Sequence, residues 1–403
     1  MQPNINRIIT TRMNSQSTPV HIRLWHKDFW LMAIANFLLA MSVYMLVPTM
    51  PAWLMETQEF SVQNAGIAMA AFGVGLFALG AFISYLVQHY RRNLVCIYAV
   101  LMEALLIGAL YYLDGLHMRV ASPIIIYVQR FAMGAAFGLA QMVLTSTLII
   151  DTSESFQRTE ANHSAAWFSR FALSMGPMAG LVIGRQLGFQ YVLLGTLGCA
   201  LAVILMVLMV NFPFRAPQDD IPTVSLDRFF LPHGFPLFLN LQLVTLAVGI
   251  ILSVVHVEQF YSMMMVGFAV AILSQRFVFK NAELKSEVVT GLILMGVALL
   301  MLITRHLPIV LLAAPLFIGM GVGLIGARFL LFFIKLSRHC QRGTSQSTFL
   351  LGWESGIAWG VGIGLAVLKG DVLSGLVAAL VLVIVASVMY HFTHNWFTNN
   401  KNR

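Results

Sequence analysis

The chain has 403 residues, 59% of them apolar or aromatic and only 10% charged. A soluble domain is about 25% charged, so 24 basic and 16 acidic side chains cannot clothe a wet surface of this size. A water-soluble enzyme, a secreted disulfide scaffold and a disordered chain are excluded, and a membrane protein remains.

The first 28 residues are polar and basic. The apolar run that follows, Phe29–Leu54, is too long for the ~7–15 residue core of a cleavable signal, and it reads as a retained spanning helix. Phe60–Tyr90 comes next, without Asp, Glu, Lys or Arg. Asn93–Leu113 holds one charge, Glu103; Val120–Ile150 holds Arg130; Ala161–Gly184 holds Arg170; Gln186–Phe214 holds none. In the second half Phe229–Val257, Gln259–Gln275, Val288–Thr304 and His306–Ala327 are uncharged. Gly343–Leu368 contains Glu354, and Val372–Asn400 closes the series without charge. Each of these twelve segments is near or above the ~20 residues that cross a bilayer as helix. The alternating ten-residue signature of a barrel is absent, so the predicted class is all-α.

An even number of spans puts both ends on one side, and the basic residues say which. Seventeen Lys and Arg, including the pair Arg91 and Arg92, fall on the side of the termini. The opposite loops hold four: Arg119, Arg185, Arg305 and Lys369. Basic loops stay cytoplasmic, so both termini are expected inside, in the inner (plasma) membrane. The net charge of +8 is then topology and not a nucleic-acid footprint. Cys96, Cys199 and Cys340 show neither pairing nor metal-ligand spacing and read as small apolar residues.

Five prolines (Pro213, Pro217, Pro222, Pro232, Pro236) crowd between segments six and seven with Asp219, Asp220 and Asp227. The predicted organisation is a cytoplasmic tail over 1–28, a six-helix bundle over 29–211, a cytoplasmic linker over 212–236, a second bundle over 237–392 and a tail over 393–403. The halves also repeat. Pro123…Gly134…Gly138 on helix four matches Pro308…Gly319…Gly323 on helix ten at an offset of 185. Trp167-x-Ser169-x-x-Ala172-x-x-x-Gly176 matches Trp353-x-Ser355-x-x-Ala358-x-x-x-Gly362 at 186, and Leu86-x-Gln88 matches Leu273-x-Gln275 at 187. Parallel six-helix repeats suggest two bundles rocking about a central site.

On these residues the chain resembles the major facilitator superfamily over residues 25–392. The family's R-x-x-x-G-x-x-x-G pattern on helix four is matched by Arg130, Gly134 and Gly138, and its Gly-Pro-x-x-Gly element on helix five by Gly176, Pro177 and Gly180. In the helix 2–3 loop only Arg91-Arg92 matches; Val87 stands where the family has Asp and Tyr90 where it has Gly. The resemblance implies a transporter of twelve helices in two bundles. It gives Arg130 a part in proton coupling, makes helices one, four, seven and ten line the cavity, and associates the helix-five hinge with export.

Individual residues follow. An unpaired charge inside a spanning helix costs about 2.5–3.5 kcal/mol even on a lenient scale, so Arg130 needs a cavity, a carboxylate or a substrate anion. Glu103 on helix three is a candidate partner. Glu354 and Arg170 share one repeat frame, and Arg328 lies at similar depth to Glu354; a Glu354–Arg328 pair is expected. A desolvated carboxylate there could titrate, which makes Glu354 the first candidate for the coupling proton. Asn36, Tyr44, Gln141, Asn240 and Gln242 are candidate substrate contacts, with Arg328 placed in the same cavity. Gly176, Pro177 and Gly180 are expected to act as a hinge.

Rival chemistry finds little purchase. No Gly-rich phosphate loop with Lys and no metal-ligand cluster is present, and no cofactor is implied. The acidic and basic residues of Asp151–His163 read as a capped loop and not as a transferase site. The expected function is a secondary active transporter, a monomer working by alternating access, with proton-coupled export of a small amphipathic organic compound as the leading version. An uptake symporter, a lipid flippase and a membrane-embedded transferase are the alternatives.

Overall fold

The computed structural model describes residues 23–212, 221–305 and 307–401. The tail with Arg7 and Arg12 and the linker residues Pro213, Arg215, Pro217, Asp219 and Asp220 lie outside the described residues. Among the described residues, twelve helices are long and apolar enough to cross a membrane. They are α1 (Lys27–Glu56), α2 (Val62–His89), α3 (Arg92–Gly115), α4 (Pro123–Asp151), α5 (Arg158–Leu187) and α6 (Phe189–Leu208), then α7 (Pro232–Val254), α8 (Glu258–Phe277), α9 (Leu284–Thr304), α10 (Pro308–Leu336), α11 (Arg342–Ala366) and α12 (Val372–Asn400). The near face is the one where α1 begins and α12 ends; the far face is opposite.

Four local breaks have identifiable causes. Pro48 lacks the N–H that would bond the Tyr44 carbonyl, and α1 is interrupted at Met45. Pro177 does the same to the Leu173 carbonyl inside α5. Toward its near end α4 widens into a π turn over Leu144–Leu148, where Thr145 Oγ1 donates to the Gln141 carbonyl (2.7 Å) and Ser146 Oγ to the Met142 carbonyl (2.6 Å). Such turns concentrate at functional sites. Finally, α2 tightens to a single 3-10 turn at Gly80–Phe82, where the ring of Phe229 from the linker occupies the place of a Gly80 side chain.

The sequence repeat has a physical counterpart in how helices touch. A Cβ at Gly134 would overlap the Phe72 carbonyl of α2, and one at its repeat mate Gly319 would overlap the Met264 carbonyl of α8. The R-x-x-x-G glycine therefore fixes the α2–α4 approach as Gly319 fixes α8–α10, by close backbone contact. Gly176 and Gly180 likewise meet Tyr44 and Met45 of α1, seating α5 against the break in that helix.

The first six and the last six helices meet along two lines, α2 against α11 and α5 against α8. At the far face this seam is closed. Gly66 abuts the backbone of Gly362 and Ala366, and Arg185 donates to both oxygens of Glu258 (2.6 and 2.7 Å) and to the His256 carbonyl (2.5 Å). His256 lies in the α7–α8 turn, where partial burial, against a raising hydrogen bond at Val254, and then the Arg185 charge hold its imidazole below the usual range. Least buried are α12 and α6, whose exposed Leu205 and Val388 suit lipid contact; α4, α7, α11 and α1 are the most buried.

Candidate substrate and proton site

At the centre of the seam three helices converge on Glu354. The carboxylate, on α11, accepts from Tyr44 Oη of α1 (2.7 Å) and from Gln141 Nε2 of α4 (2.8 Å). Glu354 is 3% exposed, Tyr44 and Gln141 2% each. Both donors come from the first half of the chain and the acceptor from the second, so this one carboxylate ties the halves together deep in the molecule. The break at Met45 and the π turn of α4 lie within one turn of the two donors.

The expected Glu354–Arg328 pair is not formed. Arg328 on α10 pairs instead with Glu287 on the first turn of α9, whose other oxygen accepts from Gln275 Nε2 (3.0 Å). It borders a near-face crevice beside Gln275, Arg276 and Lys280, away from the central cluster. The reason is direction: α10 turns Arg328 toward α9, and depth along a helix says nothing about which side a residue takes.

Arg130 and Glu103 are both buried, yet no ion pair joins them. Glu103 accepts from Ser42 Oγ (2.7 Å), while the Arg130 guanidinium lies 4.9 Å from the Phe72 ring centre, with one nitrogen 3.3 Å from Met133 Sδ. Asn240 donates to the Ala386 carbonyl of α12 (3.0 Å) and Gln242 to Ser355 Oγ of α11 (3.0 Å), both as helix-to-helix bonds. Asn36 donates to the Ala165 carbonyl (3.0 Å) and leaves its oxygen without a partner.

That oxygen borders the feature which the sequence pattern did not single out. Arg170 of α5 is 2% exposed, and none of its three guanidinium nitrogens meets an acceptor among the described residues. Its charge lies 4.6 Å from the Trp167 ring centre and 5.9 Å from that of Trp353. These two indoles are repeat mates, and Gly326 of α10, lacking a side chain, lets guanidinium and Trp353 approach. Aromatic contacts of this kind supply about 0.5–2 kcal/mol each. The effective penalty for a buried unpaired ion is several kcal/mol, so a deficit remains that an anion would offset.

Beside Arg170 is a cavity of about 10 Å³, bordered by Asn36, Thr145, Ser169, Gln346, Phe349 and Trp353. Toward the near face lies a larger one of about 230 Å³. Arg92, Arg158, Arg228 and Arg342 line it, with Asp151 and Asp227 the only acids among the described residues. Arg92 pairs with Asp151 (2.5 Å) and donates Nε to the Val87 carbonyl (3.3 Å), the position where the resemblance expected Asp. Arg91 is exposed on the near face. The tie between α2 and α11 at this face comes from the linker: Asp227 accepts from Ser84 Oγ (3.2 Å) and from Thr344 Oγ1 (3.0 Å). Nothing in composition marked Asp227 among the other linker acids.

Twelve spans in two repeat-related sets, closed at one face and hollow at the other around a buried polar centre, define a membrane transporter. The sequence profile of the Major Facilitator Superfamily matches residues 32–361, and the chain belongs to that family. It is therefore a multi-pass secondary transporter of small molecules and not an enzyme. No curated protein matches the chain by sequence. Among solved structures it is similar to a bacterial homologue of the iron transporter ferroportin in its outward-facing state, at 15% identity and TM-score 0.65, covering 92% of this chain and 100% of that one. It is also similar to the nucleoside transporter NupG, at 12% identity and TM-score 0.63, covering 91% and 99%. At such identities the likeness is one of fold.

Proposed function

We propose that the protein is a proton-coupled exporter of a small organic compound, with Glu354 carrying the coupling proton. The bundles of residues 29–211 and 237–392 rock about the seam, in the cell's inner membrane, with the near face and both termini in the cytoplasm. The observation that carries this reading is the position of Glu354, desolvated and accepting hydrogen bonds from Tyr44 and Gln141 of the opposite half. An ionised carboxylate is an acceptor only, and a protonated one turns a donor toward its neighbours. Ionised Glu354 favours the interlocked halves, and protonation weakens that tie and biases the protein toward separation, which is how a proton shifts a two-state equilibrium. Arg130 and Glu103 tune the same bundle from behind, through Phe72 and Ser42. The Gly176-Pro177-x-x-Gly180 element, seated on the α1 break beside Tyr44, supports export as the direction.

Glu354→Gln tests the reading in inverted vesicles with an imposed pH difference. The variant should still exchange substrate without a gradient and should lose uphill transport. Normal uphill flux at normal folded yield would overturn Glu354 as the coupling group, and pH-driven flux out of inverted vesicles would reverse the direction.

A further inference from the structure

We infer that the transported compounds are small organic anions, carboxylates with an aromatic or apolar body, and that Arg170 is the residue that holds their charge. The inference deepens the transporter reading above and rests on it.

Three observations carry it. First, Arg170 is a buried cation with no acceptor at any of its guanidinium nitrogens among the described residues, and it borders a small, mainly apolar cavity between the halves. The guanidinium fork matches a carboxylate in two parallel hydrogen bonds, a geometry that an ammonium cannot give.

Second, the two cavities form one column. On α5 the residues that line them step inward from Arg158 and Asn162 to Ala166 and Arg170; on α11 from Arg342 and Gly343 to Gln346 and Leu350; on α4 from Asp151 and Ser146 to Thr145. On α5 and α11 the Arg170 cavity thus lies about one turn deeper than the arginine-lined vestibule, and on α4 the two linings adjoin at Ser146 and Thr145. A vestibule richer in Arg than in Asp concentrates anions at its mouth, and Arg170 is the next cation they would meet.

Third, the walls say what else the anion carries. Trp167 and Trp353 pack against the guanidinium, and Phe349 lines the cavity beside it. Flat apolar faces beside a cation fit a carboxylate on a ring or short hydrocarbon, and they exclude the hydration shell that inorganic phosphate would keep. Asn162, Ser169 and Gln346 each offer an oxygen without a partner, which can accept from hydroxyl or amide groups on the same molecule. Glu354 stands next to Trp353 in sequence, one step beyond the site. Trp353, which packs against the Arg170 guanidinium, is therefore the chain neighbour of the residue proposed to carry the proton.

The test uses purified full-length protein with four probes: benzoate, its neutral amide benzamide, the cation benzylamine, and inorganic phosphate. Binding is read by calorimetry and by the unfolding temperature. Benzoate should bind about tenfold or more tighter than benzamide, the margin of a charge-assisted pair, with benzylamine and phosphate weaker still. Arg170→Gln should erase the preference of benzoate over benzamide, and Arg170→Lys should keep part of it. Benzamide or benzylamine binding as well as benzoate overturns the inference, as does undiminished benzoate preference in Arg170→Gln or no benzoate binding to the wild-type chain. Phosphate binding as tightly as benzoate overturns the organic body. The wild-type panel decides the matter even if the Arg170 variants do not fold. Benzoate binding that survives in Glu354→Gln while uphill flux is unaffected would sink the proton reading and leave the substrate class standing. Failure of benzoate with proton-driven flux of another compound would do the reverse.

Discussion

Two arginines within spanning helices show what a membrane interior does with a cation. Arg328, between α9 and α10, is matched by Glu287 and shares that carboxylate with Gln275. Arg170, on the seam where the halves meet, has indole faces and no carboxylate. Both were paid for in desolvation, and the difference lies in what offsets it. Arg328 has its counter-charge within one half of the molecule and braces it. Arg170 is left incomplete at the surface along which the halves must part.

The largest test of this contrast is Glu287→Gln. Breaking a buried pair from one side costs about 3–5 kcal/mol, and Arg328, partly open to the near-face crevice, places the loss at the lower end of that range. Thermal unfolding and folded yield in detergent should fall clearly, and Arg328→Gln in the same chain should restore part of the loss. Unchanged unfolding would mean that the pair braces nothing.

Arg170→Gln should act in the opposite direction on the same measurement. Removing a buried charge that has no acceptor recovers desolvation free energy, a gain of about 1–3 kcal/mol with the two aromatic contacts deducted. The variant should unfold at the same or a higher temperature while failing to transport. A clear loss of stability would place Arg170 with Arg328, as a structural cation.

Why the contrast was only half legible in the sequence is a matter of direction and depth. Charge-free runs placed twelve spans, because a bilayer punishes charge regardless of which way a side chain turns. The glycine and proline repeats located close helix contacts, since Gly134 and Gly319 act through their backbones, which sequence spacing fixes. Side-chain partners were another matter. Glu287 sits in the first turn of α9, one residue before the uncharged run Val288–Thr304, so the charge-free runs leave it out of the span and similar depth alone points Arg328 to Glu354. Arg170 was visible as a charge within α5, and nothing in the pattern told that no acid faces it. Tyr44 and Gln141 stood out as polar residues on central helices; their meeting at Glu354 depends on the α1 break and the α4 π turn.

The smallest effect concerns the near end of the seam, where the linker joins α2 to α11. Asp227 accepts from Ser84 and Thr344, and Thr344 lies in the first turn of α11, where a negative charge is favourable. Asp227→Asn keeps one acceptor, and the hydroxyls can rotate to meet the new amide. The site is also half-exposed, so the loss should be about 0.5 kcal/mol. That corresponds to roughly a twofold change in the ratio of two states. The readout is Ser146→Cys, placed in the vestibule wall of a chain whose Cys96, Cys199 and Cys340 have been replaced, and labelled with a membrane-impermeant maleimide from the near face. Loosening the tie should raise the labelling rate about twofold, while the far-face contact of Arg185 with Glu258 is untouched. A rate that stays the same or falls would show that Asp227 does not restrain the near face, and the closed and hollow ends of the seam would then differ through their helices alone.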